Sequence, residues 1–436
     1  MLKGAVLMRI GWKATGILLS VSVLASACGK TAGETEKTVM PPEERKPAVI
    51  RLLQDGATMT EEEFQTLVQA PVKAKYPHLT VELQVNTKSD EGLQQLIAGG
   101  DFPELILTSF SRIAIHREMA TSSDLTPLVK ENGMDLNLFD SVPLETVRKY
   151  SKPGELSAIP FSLNFLATFY NKDLFDNFGV PYPPDGMTWD AALETAKRFS
   201  RTTGGVQYRG AMMTGLFDLN SQLSLPYFSP ETKKVSIHTD GWKRMVNLIA
   251  QFQLIPGNRG TNLDHFMKEQ SVAMMFSYDA RFHNLEAVYG TPADFKWDVA
   301  QLPSFPERPN VSAGSTGHYL MVSSLGANKQ DAFRVIEVLV GAENQKTMTQ
   351  RGRFTSLKDP AIKALYGQNL KSAQGKNIQG IFKSSFAPPF AGTMHDTKVR
   401  PYLQTALNKV IEGQADVNSA LREAEEAANR ELVLTP

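Results

Sequence analysis

The side chains best suited to covalent or metal chemistry are few and scattered in this 436-residue chain. Histidines stand at positions 78, 116, 238, 265, 283, 318 and 395, and no two share the i, i+4 spacing with which a helix presents a zinc pair. The sequence contains no H-E-x-x-H, no G-x-S-x-G and no G-x-x-x-x-G-K-[ST]. Its one cysteine, Cys28, lies near the start and offers neither a disulfide nor a thiolate cluster. With 46 acidic residues, a carboxylate pair of the glycosidase kind carries little information, because such acids meet only in the fold. These features favour a protein that binds over one that makes or breaks bonds, with no cofactor and no metal.

Cys28 fits an attachment point instead. Lys3, Arg9 and Lys13 precede an apolar or small stretch over 14–27, and no acidic residue comes before Glu34. That stretch has the length of a secretory h-region and is too short to span a bilayer. "LASACGK" (24–30) resembles a bacterial lipobox, whose cysteine is acylated and becomes the first residue after cleavage; the alternative is an ordinary secretory leader with an incidental cysteine. The expected organisation begins with a lipoprotein signal peptide over 1–28. A flexible tether over 29–48 follows, polar, charged and Pro-containing. Without the leader, 43 Lys+Arg face 46 Asp+Glu, which argues against nucleic acid as a partner. The expected location is the extracytoplasmic face of the cell membrane, with the lipid on Cys28 as anchor. A body of roughly 390 residues exceeds one ordinary core and should divide into two lobes.

The elements that must position any site alternate between strand and helix. "AVIRLL" (48–53) reads as a strand, and Thr60 opens a helix as N-cap, with Glu63 completing a capping box. Phe64, Leu67 and Val68 form its apolar stripe, and Pro71 is expected to disturb its end. "TVELQV" (80–85) alternates at strand period. A helix with Leu93, Leu96 and Ile97 on one face stops at Gly99-Gly100, and "ELILT" (104–108) is a buried strand. This α/β order predicts a parallel sheet covered by helices. In 169–200, a strand end and a short helix closed by Gly179 precede a Pro-rich connection. Thr188 then caps a helix whose Trp189, Ala192, Leu193, Ala196 and Phe199 fall at helical spacing and read as core. Asp240 is expected to cap a helix bearing Met245, Leu248, Ile249 and Phe252. Asp416 caps a last helix bearing Leu421, Ala424 and Ala428.

The order of these passages resembles the bacterial extracellular solute-binding proteins of the family that includes maltose-binding protein, the substrate-capturing lipoproteins of ABC sugar importers. The resemblance rests on "IAGGDFPELIL" (97–107), "YNKDLFDNFGVPYPP" with "TWDAALETAKRF", and "FMKEQSVAMMF" (266–276). It continues through "VAQLPSFP" (299–306), "GSTGHYLMVSSLGANKQDAFRVIEVL" (314–339) and "NKVIEGQADVNSALREAEEAANREL" (408–432). It implies a two-lobed periplasmic-binding-protein-like fold with hinge strands and an inter-lobe ligand cleft. The N-terminal lobe would comprise 49–158 and 302–352, and the C-terminal lobe 159–301 and 353–436. Crossings between them are expected near 157–164, 298–303 and 350–356. The implied function is capture of a carbohydrate, an oligosaccharide, by a monomer that delivers it to ABC permease subunits. The alternatives are a lipid-anchored glycan hydrolase, or a binding protein for a polyol phosphate, a polyamine or a peptide.

Sites for sugars combine planar polar side chains with stacking rings. At the expected cleft, Gln54 and Asp55 follow the first strand, where the alternative for Asp55 is a simple turn. Thr108, Ser111 and Arg112 follow "ELIL"; the resemblance matches Arg112 to a ligand-binding arginine, and the alternative is a surface ion pair. Asn164 falls where a maltose-binding relative carries a glutamate. Ser277, Tyr278 and Arg281 lie in "MMFSYDARF", with Tyr278 the best stacking candidate. Gly314, Ser315 and Thr316 begin a loop of small residues, and Arg353 follows the third crossing. Trp189 and Trp242 look structural, so stacking should fall on Tyr or Phe.

Overall fold

Strand and helix begin to alternate at Ala48, and each element has a local reason in the sequence. This computed structural model describes residues 46–314, 316–393 and 395–432; Cys28, the leader and nearly all of the tether lie outside them, as does Ser315. In chain order the first strands are β1 (Ala48–Asp55), β2 (Leu79–Val85), β3 (Leu105–Ser109) and β4 (Ile159–Asn164). There follow β5 (Leu166–Asn171), β6 (Arg201–Thr203), β7 (Val206–Met212), β8 (Val272–Tyr278) and β9 (Trp297–Gln301). The last are β10 (Val311–Ser312), β11 (Thr316–Val322), β12 (Phe354–Thr355) and β13 (Ser385–Phe386).

Thr60 caps its helix as its sequence requires, accepting from the Glu63 N–H while Glu63 accepts from the Thr60 N–H. The expected break at Pro71 does not occur. The helix runs on to Lys75 by widening into a π turn over Gln65–Gln69, which makes room for the proline ring and its missing donor. Gly100 and Gly179 close their helices in the left-handed conformation. Thr188 and Asp416 cap theirs as expected. Thr239, and not Asp240, caps the helix Asp240–Leu254: its hydroxyl accepts from the Trp242 N–H, and Asp240 occupies the first turn.

The strands form two main sheets. The first has the order β12-β4-β11-β3-β1-β2, and the second β6-β7-β8-β5-β9. The expected parallel pairing holds for β1 with β2 and β3. β11, which comes back from the second sheet, enters from the opposite end and runs antiparallel to β3 and β4, and β12, which follows it through two helices, is likewise antiparallel to β4. Ile159–Asn164 and Phe354–Thr355 therefore pair in the first sheet. A β-ribbon of two short strands, β10 and β13, lies apart from both sheets.

One buried cluster packs the first sheet, with Leu52, Ile106, Phe161, Leu320 and Phe333 among its members. A second packs one face of the other sheet around Trp189, Trp242, Phe252 and Phe276. There the Trp189 indole donates to Gln222 Oε1 at 2.9 Å and meets Phe276 edge-on at 5.0 Å. The third cluster joins Leu163 and Phe354 of the first sheet to Phe169, Met275 and Val299 of the second. Its hub is Phe165, the single residue between β4 and β5. The Phe165 ring meets Phe354 at 5.5 Å, Tyr366 at 5.2 Å and Phe382 at 5.3 Å, all edge-on. Phe165→Ala should cost about 3–5 kcal/mol of unfolding free energy through the cavity it leaves. Urea denaturation would measure this, and a loss below ~1 kcal/mol would show that the hub is dispensable.

Candidate functional site

The ends of β3 and β4 and the start of β11 lie side by side, with Asn164 opposite Thr316 and Ser109 opposite His318. From the second sheet, Tyr278 reaches the same place: its hydroxyl donates to Asp218 Oδ1 at 3.0 Å and also faces Thr316. Around this point two walls meet. Phe110, Ser111 and Tyr150 come from the side of the first sheet. Phe217, Asn220, Ser221 and Tyr227 come from the side of the second. The strap through Pro388–Phe390 and the start of the helix Asp396–Ile411, with Asp396 and Arg400, complete the second wall. The Gly314 N–H donates across the gap to Ser221 Oγ at 3.0 Å. A Cβ at Gly392 would lie 2.0 Å from the Tyr150 ring, so only glycine allows that approach. About 20 Å³ of free space remains between the walls, far less than a sugar needs, so they must part to admit a ligand.

The polar groups in this gap are incompletely satisfied. Tyr227 is 3% exposed, and its hydroxyl makes no hydrogen bond of good geometry among the described residues, although the Arg400 guanidinium lies close enough to donate to it. Arg400 stacks over the Phe217 ring at 5.3 Å, and its Nε is likewise buried without an acceptor. Burial pushes the Tyr227 hydroxyl up to about 12, opposed by Arg400. Burial also pushes the Asp396 carboxyl up to about 6, against hydrogen bonds from Thr393 and the charge of Arg400.

A second opening, of about 820 Å³, lies where Thr58–Glu63 and Arg351–Arg353 face Ala280–Glu286 and Asn369. Arg353 is its best-bound side chain. It donates to Glu63 at 2.9 and 3.1 Å, to the Thr58 carbonyl at 2.9 Å and to His318 Nδ1 at 2.7 Å. Burial, and then Arg353, push His318 down to about 3, so the ring is neutral and accepts. Burial alone would raise Glu63, but Arg353 holds it below its ordinary range. Nearby, burial raises Asp279 to about 7.

The residues expected at the site divide into three groups. Ser111, Gly314 and Thr316 line the closed gap, and Asn164 and Tyr278 adjoin it through Thr316. Arg353 lines the larger opening. Gln54, Asp55, Thr108 and Arg112 line neither, because each is engaged within the first half. Gln54 bonds the Met59 backbone at both ends of its amide. Asp55, 1% exposed, accepts from Arg112, His116 (2.9 Å) and Asn86 (2.6 Å), and Thr108 Oγ1 donates to the Asp55 carbonyl at 2.9 Å. Burial would raise the Asp55 carboxyl, but His116 and then Arg112 hold it low. Arg112 also pairs with Asp90 at 2.9 Å. Ser277 accepts from Arg281 at 3.0 Å, and Arg281 donates onward to Asn284 at 2.9 Å. Tyr150, Asp218, Tyr227, Asp396 and Arg400 were not singled out from sequence. The one available signal was Asp396 and Arg400 at i, i+4, which puts both on one helix face.

Three comparisons place this geometry among known proteins. A family described as bacterial extracellular solute-binding protein matches residues 57–346. The galactooligosaccharide-binding protein of Bacillus subtilis is 22% identical, the match covering 95% of each chain. An ABC substrate-binding protein of Listeria monocytogenes, solved in complex with cycloalternan, superposes with a TM-score of 0.72 at 18% identity, over 90% of this chain and 100% of that one. A sugar transporter protein of Rhizobium etli, solved in an open conformation, superposes at 0.71 with 16% identity, over 89% and 100%. At such identities the superpositions establish the two-lobed fold. Because Arg112 is engaged inside one half, Arg112→Ala should lower stability by about 3 kcal/mol while leaving ligand affinity within twofold. Parallel denaturation and titration of this variant would separate the two effects; a large affinity loss at normal stability would return Arg112 to the site.

Proposed function

The chain belongs to the bacterial extracellular solute-binding protein family, and on that premise we propose that it captures an oligosaccharide between its two sheets and hands it to an ABC permease. One observation carries this reading. Facing walls bring Phe110, Tyr150, Phe217, Tyr227 and Phe390 together with a buried tyrosine hydroxyl and a guanidinium Nε that lack a well-formed hydrogen bond among the described residues. Rings suit the weakly apolar faces of sugars, and unsatisfied donors suit their hydroxyls. The B. subtilis relative is named for a galactooligosaccharide and the Listeria structure for cycloalternan, which agrees with this class. Ser111, Asn164, Tyr278, Gly314 and Thr316 belong to the same site in this reading. Ser315 lies beside them in sequence.

The lobes are drawn by sheet. The chain leaves the first at Phe165, returns between β9 and β11, and leaves again after β12. These limits extend the first lobe past the expected 158 and 352. The protein binds without chemistry, and Cys28 carries the lipid that holds it at the extracytoplasmic face. A ligand that stabilises only the closed form shifts the open–closed balance by its differential affinity, which is how a permease can sense loading.

Calorimetric titration of the full-length chain in detergent with neutral oligosaccharides tests this. Tight one-to-one binding is expected, with about 2.7 kcal/mol of added stability at a hundredfold excess over Kd. Tyr227→Ala should weaken binding at least tenfold. No binding by any oligosaccharide would remove the proposal. Separately, Cys28→Ser should move the protein from the membrane to the soluble fraction; if it stays with the membrane, the anchor is elsewhere.

A further inference from the structure

Beside Asp218, which Tyr278 already engages, the gap holds a cation and an anion on adjacent turns of one helix. Asp396 and Arg400 both line it. Other polar groups there are already committed. Ser221 donates to the Asp218 carbonyl at 3.0 Å and accepts from the Gly314 N–H, and Asn220 donates to the Leu225 carbonyl at 3.1 Å. The Asp396 carboxyl accepts from the Thr393 hydroxyl at 2.7 Å and from the Thr393 backbone N–H, and two oxygens have room for a further donor. The buried donors left over are therefore Arg400 Nε and the Tyr227 hydroxyl, with the Asp396 carboxylate beside them as acceptor.

We propose that Asp396 and Arg400 select a neutral saccharide, with one of two adjacent hydroxyls accepting from Arg400 and the other donating to Asp396. This deepens the saccharide reading above and rests on it. A balanced donor–acceptor pair is satisfied by a vicinal diol and by neither a uronate nor a sugar phosphate. An added anion would face Asp396 in a confined gap, where like charges repel more strongly than in open solvent. A polyamine would face Arg400 in the same way. The helix geometry holds the pair at fixed separation, and the Phe217 ring under the guanidinium fixes its plane.

The arrangement also makes binding pH-dependent. The groups facing Asp396 are Arg400 and Thr393 beside it in sequence, Tyr150 from the first half and Tyr227 from the second. Burial raises both tyrosines and lowers the neighbouring His395, so Asp396 gains its charge as the pH rises through about 6 while both tyrosines stay neutral. Its carboxylate form accepts the sugar hydroxyl. Protonation removes that acceptor, so affinity should be flat above pH 7 and fall up to about tenfold per unit below 6.

The test is titration of the full-length chain against neutral di- and trisaccharides of glucose, galactose and mannose. Digalacturonate, trigalacturonate, glucose 6-phosphate and spermidine serve as charged probes. At least one neutral probe should bind, the charged ones a hundredfold more weakly, and the neutral affinity should follow the stated pH profile. Asp396→Asn, nearly isosteric, should weaken the neutral probe about tenfold at pH 7.5 and flatten the profile, with its folding checked by thermal denaturation. If that variant fails to fold, the unmodified chain's pH profile still decides. Tighter binding of a charged probe, or a flat profile in the unmodified chain, would overturn this inference and leave the saccharide reading standing for the former to refine. Silence from every probe would overturn both.

Discussion

The chain has to pass between two sheets whose ladders claim nearly every residue on either side, and that leaves one free link, Phe165, at the first passage. Its carbonyl accepts the Asp279 N–H at 3.0 Å, so the link is tied to the end of β8 as well as to its own neighbours. Its ring is enclosed by Phe354 and Tyr366 from the third passage and by Phe382, which itself stacks on Phe354 at 4.6 Å. Aromatic packing of this density resists compression but permits small rotations between alternative arrangements.

At the rim, few contacts cross. The Gly314 N–H meets Ser221, and the Tyr150 ring rests on Gly392. Polar contacts of this kind contribute about 1 kcal/mol each. A saccharide making several hydrogen bonds to both walls therefore competes on equal terms with the contacts that close the empty gap, which is the condition for a ligand to set the balance. The halves themselves are far more firmly built. The Asp55–Arg112–His116 network lies inside the first half and the Glu63–Arg353–His318 network lines the larger opening, and together they hold the strand ends in place.

What the sequence made legible follows from what is local. The Thr60–Glu63 box, the Gly179 stop and the Thr188 and Asp416 caps depend on residues three or four apart, and each formed as its neighbours dictate. Thr239 displaced Asp240 because two adjacent residues both suit the cap and the backbone turn chose between them. Pro71 was misleading because a π turn is a response of the backbone that composition does not announce. For the site, position was readable and side-chain direction was not. Asp55 and Arg112 stand at strand ends facing the gap, yet satisfy each other's charge inside the fold. Tyr150 and Asp396 lie on opposite walls and about 250 residues apart, and only tertiary packing brings them together.

The central claim is that the two sheets swing about the Phe165 node and shut on a sugar. Spin labels at Glu145 and Lys398, both exposed and on opposite walls, report it directly in a Cys28→Ser background. Pulsed electron resonance should give a broad, long distance without ligand and a narrow, shorter one at saturation. A single distance unchanged by a bound saccharide would contradict it.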